Sequence, residues 1–177
     1  KFLECFIETL GEQFAIEDFN CKNARVHTEF AISGGRIDIL IEDEQREKAI
    51  IIENKIFAGD QWKQLKRYDE YAEKTYKNDI YQLLYLTLDG HEPTKHSGSG
   101  VSYLTISYTE TIINWLEKCV AIASRFPMVR ETIIQYINHL KQLTNQDMDN
   151  KNKEEITDLL SKVENLRAAK VICQHYS

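Results

Sequence analysis

This 177-residue chain is poor in the residues that interrupt regular structure, with two prolines and seven glycines. That scarcity favours helices and strands over irregular loops. Long apolar runs are missing too. Stretches such as Ala49-Ile50-Ile51-Ile52 fall far short of the roughly 18 residues a spanning helix needs, so no membrane segment is expected. No cationic start followed by an apolar run marks a signal peptide, although an opening at Lys1 rather than Met fits a processed or truncated start. The four cysteines, Cys5, Cys21, Cys119 and Cys173, are far apart and form no C-x-x-C. Zinc ribbons and dithiol redox motifs are thereby excluded, and reduced, buried thiols in a cytoplasmic protein are the expectation. His27, His91, His96, His139 and His175 show no metal-ligand spacing.

Positive charge is also in deficit: 22 Lys and Arg face 28 Asp and Glu, a net charge of −6. Global acidity argues against a large, sequence-independent nucleic-acid surface. A local basic strip is compatible with it, because screening limits distant charges to about 8 to 10 Å in physiological salt. Lys63, Lys66, Arg67, Lys74 and Lys77 make the 60–77 segment locally basic. Either a solvated helix face or a phosphate-tracking strip would read this way.

What is there suits one globular domain, with 42% apolar and 28% charged residues. Phe2, Leu3, Phe6, Ile7, Leu10 and Phe14 give a helical stripe within residues 1–19. Residues 25–32 read as a strand with Val26, Thr28, Phe30 and Ile32 on one face, and Ser33-Gly34-Gly35 turns the chain. In 36–42, Ile37, Ile39 and Ile41 are expected on one side and Asp38 and Leu40 on the other. Residues 49–54 are apolar on both sides, as a central strand is. A helix is expected over 60–76, with Asp60 as its N-cap and Trp62, Leu65, Ala72 and Tyr76 on one face. Gln61, Gln64, Tyr68 and Tyr71 form the adjoining face. Residues 80–88 and 101–107 read as strands around a loop from Asp89 to Gly100. Stripes at Ile112, Ile113, Leu116 and Val120, at Ile133, Ile137, Leu140 and Thr144, and at Ile156, Leu159, Leu160, Val163 and Leu166 predict helices to the end. The expected order is α-β-β-β-α-β-β followed by helices, an α/β fold with a mixed central sheet flanked by helices.

Charge inside apolar strands carries the chemical signal. Asp38 interrupts an isoleucine-rich strand, and Glu53, Asn54 and Lys55 end the most apolar one. Buried ionised groups cost several kcal/mol unless paired or bound to a metal. Two carboxylates brought together repel and call for a cation between them. Glu53 and Lys55, two apart, point the same way on a strand, and an antiparallel neighbour can bring Asp38 to that side. A hard ion such as Mg²⁺ suits a carboxylate pair with waters and a phosphate. The backbone carbonyl of Asn54 is a further candidate ligand, and Lys55 would hold a water or phosphate oxygens.

The pattern Gly35-Arg36-Ile37-Asp38, then Glu53-Asn54-Lys55, then Asp60-Gln61 and Gln64-Leu65-x-x-Tyr68, resembles the PD-(D/E)XK nuclease superfamily. Ile37 stands where a proline is often found. The resemblance covers about residues 1–107 and implies a restriction-endonuclease-like core of order α-β-β-β-α-β. Residues 108–177 would form a helical extension packed on that core within one domain. By the resemblance, Asp38 and Glu53 are metal ligands, Lys55 the catalytic lysine and Gln64 the supporting helix residue. Gln61, Tyr68 and Arg36 would face substrate, and an acid of the first helix, Glu12 or Glu8, would join the metal. The implied activity is Mg²⁺-dependent hydrolysis of nucleic acid, DNA before RNA, with Mn²⁺ as a substitute ion. The competing expectation is a catalytically silent nuclease-like domain that binds nucleic acid or protein. The C-terminal stripes would also suit a homodimer or a partner helix. Glu-x-Lys alone would equally make a surface ion pair, and Gln61 and Gln64 would equally be solvated helix residues.

Overall fold

Ala49, Ile50, Ile51 and Ile52 place apolar side chains on both sides of one strand, and that strand, β3 (Ala49–Lys55), lies at the centre of the sheet. The computed structural model describes residues 1–144 except 12, 13, 15, 17, 44, 46 and 77–79. β1 (Arg25–Ile32), β2 (Gly35–Glu42) and β3 form an antiparallel meander. β4 (Tyr81–Thr87) then pairs parallel to β3, and β5 (Leu104–Ser107) parallel to β4. The spatial order is β1-β2-β3-β4-β5. A parallel neighbour needs a crossover connection. Between β3 and β4 this is α2 (Gln64–Thr75), and between β4 and β5 a segment holding the short helix α3 (Lys95–Gly98).

The alternation along β3 divides the core in two. Ile50 and Ile52 face α1 (Phe2–Leu10), α4 (Ile113–Ile122) and α5 (Pro127–Leu143), joining Phe6, Leu10, Leu116, Ile137 and Leu140. Ala49 and Ile51 face α2, joining Leu65, Tyr68, Ala72 and Tyr76. A π-helical turn, Tyr108–Ile112, links β5 to α4. No helix among the described residues is long and apolar enough to cross a membrane. Cys5 and Cys119 are buried free thiols and Cys21 is half-buried.

The structure corrects several expectations. The first helix ends at Leu10, because Gly11 adopts φ 60, a conformation glycine takes without a Cβ penalty. Phe14, Ile16 and Phe19 follow it outside a helix yet still pack into the core. Ile37, Ile39 and Ile41 do not share a face. Ile39 and Ile41 belong to the α1/α4/α5 cluster, and Ile37 to the α2 cluster. The side chains change faces where Glu29 takes φ 54 and Glu29 and Asp38 drop out of the β1–β2 pairing. Phe30 and Ile32 accordingly pack on the α2 side, while Val26 remains exposed. Asp60 does not cap α2. The residue before that helix is Lys63, at φ 51, and Trp62 lies outside the buried face of Leu65, Ala72 and Tyr76. The expected strand at 101–107 starts at Leu104. The stripe from Ile156 to Leu166 lies outside the described residues.

Candidate active site

β2 and β3 pair only as far as Ile39 and Ile52. Beyond that rung the strands diverge and the backbone N–H of Asn54 needs another acceptor. Asp38 provides it: its Oδ2 accepts from Asn54 N at 2.7 Å. The opening left by the divergence is a cleft of about 530 Å³ lined by Asp38, Glu53, Asn54, Lys55, Gln61 and Gln64. Gly35 and Arg36 bound it from the β1–β2 hairpin and Ala58 from the segment after β3.

Glu53 is the hub, with 1% of its surface exposed. Its Oε1 accepts from Lys55 Nζ at 2.7 Å and from Gln64 Nε2 at 2.7 Å. Its Oε2 lies 2.7 Å from the Tyr68 hydroxyl, which is also 2.5 Å from the carbonyl of Arg36. Gln64 Nε2 donates to the same phenol oxygen at 3.1 Å. Tyr68 thus has one proton for two acceptors. Burial pushes the Glu53 carboxyl above the usual glutamate range, against hydrogen bonds from Lys55 and Tyr68, and the Asp38 charge adds to the rise. Burial and the adjoining Glu53 carboxylate likewise push the Tyr68 phenol up.

The expected residues fall into three groups. Asp38, Glu53, Asn54, Lys55, Gln61, Gln64 and Arg36 all border one cleft. Tyr68, expected to face substrate, is buried at 1% exposure, with its hydroxyl against the Glu53 carboxylate at 2.7 Å. Glu8 is exposed on α1, whose buried residues pack on the opposite face of the sheet from Glu53, and Glu12 lies outside the described residues. Two contributors were missed. Asp60 Oδ1 accepts from Tyr85 OH at 2.7 Å, and its Oδ2 from Thr94 N and Oγ1, both at 2.6 Å. Arg67 donates to Gln61 Oε1 at 3.0 Å and to the Trp62 carbonyl, with its stem against Gly34 and Gly35. The Asp60 contacts join segments distant in sequence, and the Arg67 bonds, five and six residues apart, form because residues 61–63 lie outside the helix, so helical periodicity had no access to either.

Among the described residues, no group of three or more His, Cys, Asp or Glu side chains is placed to hold a metal ion. Asp38 and Glu53 are the inner carboxylates of the cleft, and Glu29, exposed and ion-paired with Arg36 at 2.9 Å, is a third that lines it. Two carboxylates are the donor set that a hard divalent ion keeping several of its waters would take.

This arrangement, a mixed sheet with an acidic residue on the second strand and Glu-x-Lys ending the third, defines a restriction-endonuclease-like α/β protein. The chain belongs to the PD-(D/E)XK nuclease superfamily, whose family model matches residues 1–138. The match runs past β5 through α4 and into α5. Comparison with curated proteins and with solved structures finds no match.

Proposed function

We propose that the protein is a divalent-metal-dependent nuclease that hydrolyses phosphodiester bonds, with DNA as its first substrate and Mg²⁺ or Mn²⁺ as its ion. The observation that carries this reading is the Glu53–Lys55 pair, buried at the edge of a cleft that also holds Asp38. A carboxylate and an ammonium of 1% and 8% side-chain exposure are expensive unless the pair has a task there. Asp38 and Glu53 would hold the ion. When bound, the ion supplies positive charge at the phosphate and lowers the pKa of a coordinated water.

The chain's own groups do the rest. Gln64 and Tyr68 fix the Glu53 carboxylate from behind. Asp38 is held by the Asn54 amide through Oδ2, and its Oδ1 makes no hydrogen bond among the described residues. With another cation balancing Glu53, the Lys55 ammonium would be free to stabilise the charge that develops on the phosphate oxygens. Membership in a nuclease superfamily supports this reading. The acidic net charge of −6 calls for a small footprint on the substrate.

The test is cleavage of plasmid, linear duplex and single-stranded DNA with Mg²⁺ or Mn²⁺, beside Lys55→Ala and Asp38→Asn. Cleavage by the wild type and its loss in both variants is expected. A wild type that cuts nothing, but retains nucleic acid in a binding assay, would instead establish a silent binding module.

A further inference from the structure

Beside the cleft the surface carries two large rings that folding leaves in water. Phe57 is 83% exposed and Trp62 is 66% exposed. Both belong to the segment between β3 and α2 that supplies Ala58 and Gln61 to the cleft wall. Scattered surface apolar residues need no explanation. Trp62 differs because its position is fixed from every side although its ring is not buried. It stacks on His96 with ring centres 6.0 Å apart and planes 12° apart. Its carbonyl accepts from Arg67, and Arg67 also holds the side chain of Gln61. The next residue, Lys63, is in the left-handed region at φ 51, and its N–H donates to the His96 carbonyl at 2.8 Å. For a lysine this is an uncommon conformation, kept only where surrounding contacts impose it.

The support behind the ring is equally firm. Asp60 ties the Trp62 segment to Thr94, and the Thr94 hydroxyl lies 3.1 Å from His96 Nε2. Gly98 fits closely there, since a Cβ would come within 2.9 Å of Pro93 Cγ and 3.1 Å of Tyr103 Cε1. The platform is also coupled to the acid. Gln61 N donates to Gln64 Oε1 at 3.3 Å, and the amide of the same Gln64 side chain donates to Glu53. Finally, Lys63 Nζ lies over the Trp62 ring, 5.8 Å from its centre, a mobile cation on the aromatic face. A flat ring with an adjacent ammonium is the combination that takes a base and its phosphate in single-stranded nucleic acid, because every base has a π-face. Paired bases inside a duplex present no such face.

We propose that Trp62, assisted by Phe57 and Lys63, is a stacking platform for an unpaired nucleobase next to the scissile phosphate. The protein thereby prefers single strands, flaps or frayed ends over intact duplex. This rests on the nuclease reading of the adjoining cleft. Stacking does not distinguish ribose from deoxyribose, so single-stranded DNA and RNA both engage the ring.

Tryptophan fluorescence of the full chain tests the proposal in EDTA, without cleavage. Its two tryptophans are Trp62 and Trp115. Trp115 packs against Phe6 of α1, and its Nε1 donates to the Phe2 carbonyl, away from the cleft. A 20-nucleotide single strand of DNA, the same RNA and the matching DNA duplex are titrated in turn. The single strands should quench the signal, the duplex much less. Trp115→Phe should keep the quench. Trp62→Ala should weaken single-strand affinity roughly 5- to 100-fold by anisotropy, with Trp62→Tyr recovering most of it. Equal quenching by duplex and single strand, or undiminished single-strand binding by Trp62→Ala, overturns the platform even if the wild type is an active nuclease. A wild type that binds single strands through Trp62 but cuts nothing with Mg²⁺ or Mn²⁺ upholds the platform and removes the nuclease reading instead.

Discussion

Lys55 Nζ lies 2.7 Å from Glu53 Oε1, so a cation and an anion two residues apart neutralise each other on the α2 face of β3. Gln64 and Tyr68 complete the shell around the carboxylate. In this state the ammonium is the counter-ion that keeps Glu53 tolerable in the interior.

Removing the ammonium should expose that dependence. Breaking a buried pair from one side costs on the order of 3–5 kcal/mol. For a domain of this size Lys55→Ala should lower Tm by roughly 6–20 °C at pH 8. At pH 5 the loss should shrink, because Glu53 can then hold a proton. Thermal melts at the two pH values decide it, and an equal drop at both would contradict the buried-charge account.

Glu53→Gln should abolish cleavage, and it too breaks the buried pair from one side, leaving the Lys55 ammonium without its counter-ion. The Glu53 carboxyl titrates above the ordinary range, so the folded state binds its proton more tightly than the unfolded chain does. That contribution is complete below the unfolded value of about 4.3 and is lost as pH rises through the folded value. A neutral amide at position 53 removes the loss. The variant should therefore show a shallower dependence of Tm on pH between 4 and 8 than the wild type in thermal melts without divalent ion, and an equal slope would contradict the raised Glu53 carboxyl.

The division of labour at Asp38 can be separated by two substitutions. Asp38→Asn keeps an oxygen for the Asn54 N–H, whereas Asp38→Ala leaves that donor without its acceptor at a cost of about 1–3 kcal/mol. Both should fail to cut. Only the alanine variant should lose stability in chemical denaturation.

Tyr68 should behave as a positioning residue. Tyr68→Phe removes the hydroxyl that reaches Glu53, Arg36 and Gln64 while leaving the cleft walls in place. Loss of such an orienting contact costs about 10- to 100-fold in activity or metal affinity. The expected signature is a raised Mg²⁺ requirement with KM for DNA unchanged. A changed KM alone would point to direct substrate contact.

Much of this site was readable from periodicity and composition. Ile50, Ile51 and Ile52 announce a central strand, and Glu53 and Lys55 two apart must share its α2 face. Asp38 was recognisable as a charge out of place between isoleucines. The illegible parts depend on where backbones diverge. The change of faces at Glu29 and Asp38 needs a positive φ that no pattern of side chains declares. Asp60 looks like a helix cap from sequence alone, but Tyr85 and Thr94 draw it away. Burial works against its charge, yet the Thr94 hydroxyl and amide and the Tyr85 hydroxyl outweigh this and hold its carboxyl below the usual range. Trp62 resembles a core residue in the helical stripe and becomes a surface one because α2 begins at Gln64.

The hydrogen bond from Asn54 N to Asp38 Oδ2 makes one backbone proton a gauge of the site. Its resonance frequency and its exchange with deuterated solvent depend on the charge left on that carboxylate. Whatever draws electron density towards Asp38 Oδ1 weakens the acceptor at Oδ2. Occupancy of the cleft can thus be followed at a single amide in a heteronuclear spectrum, with no substrate added and no bond cleaved.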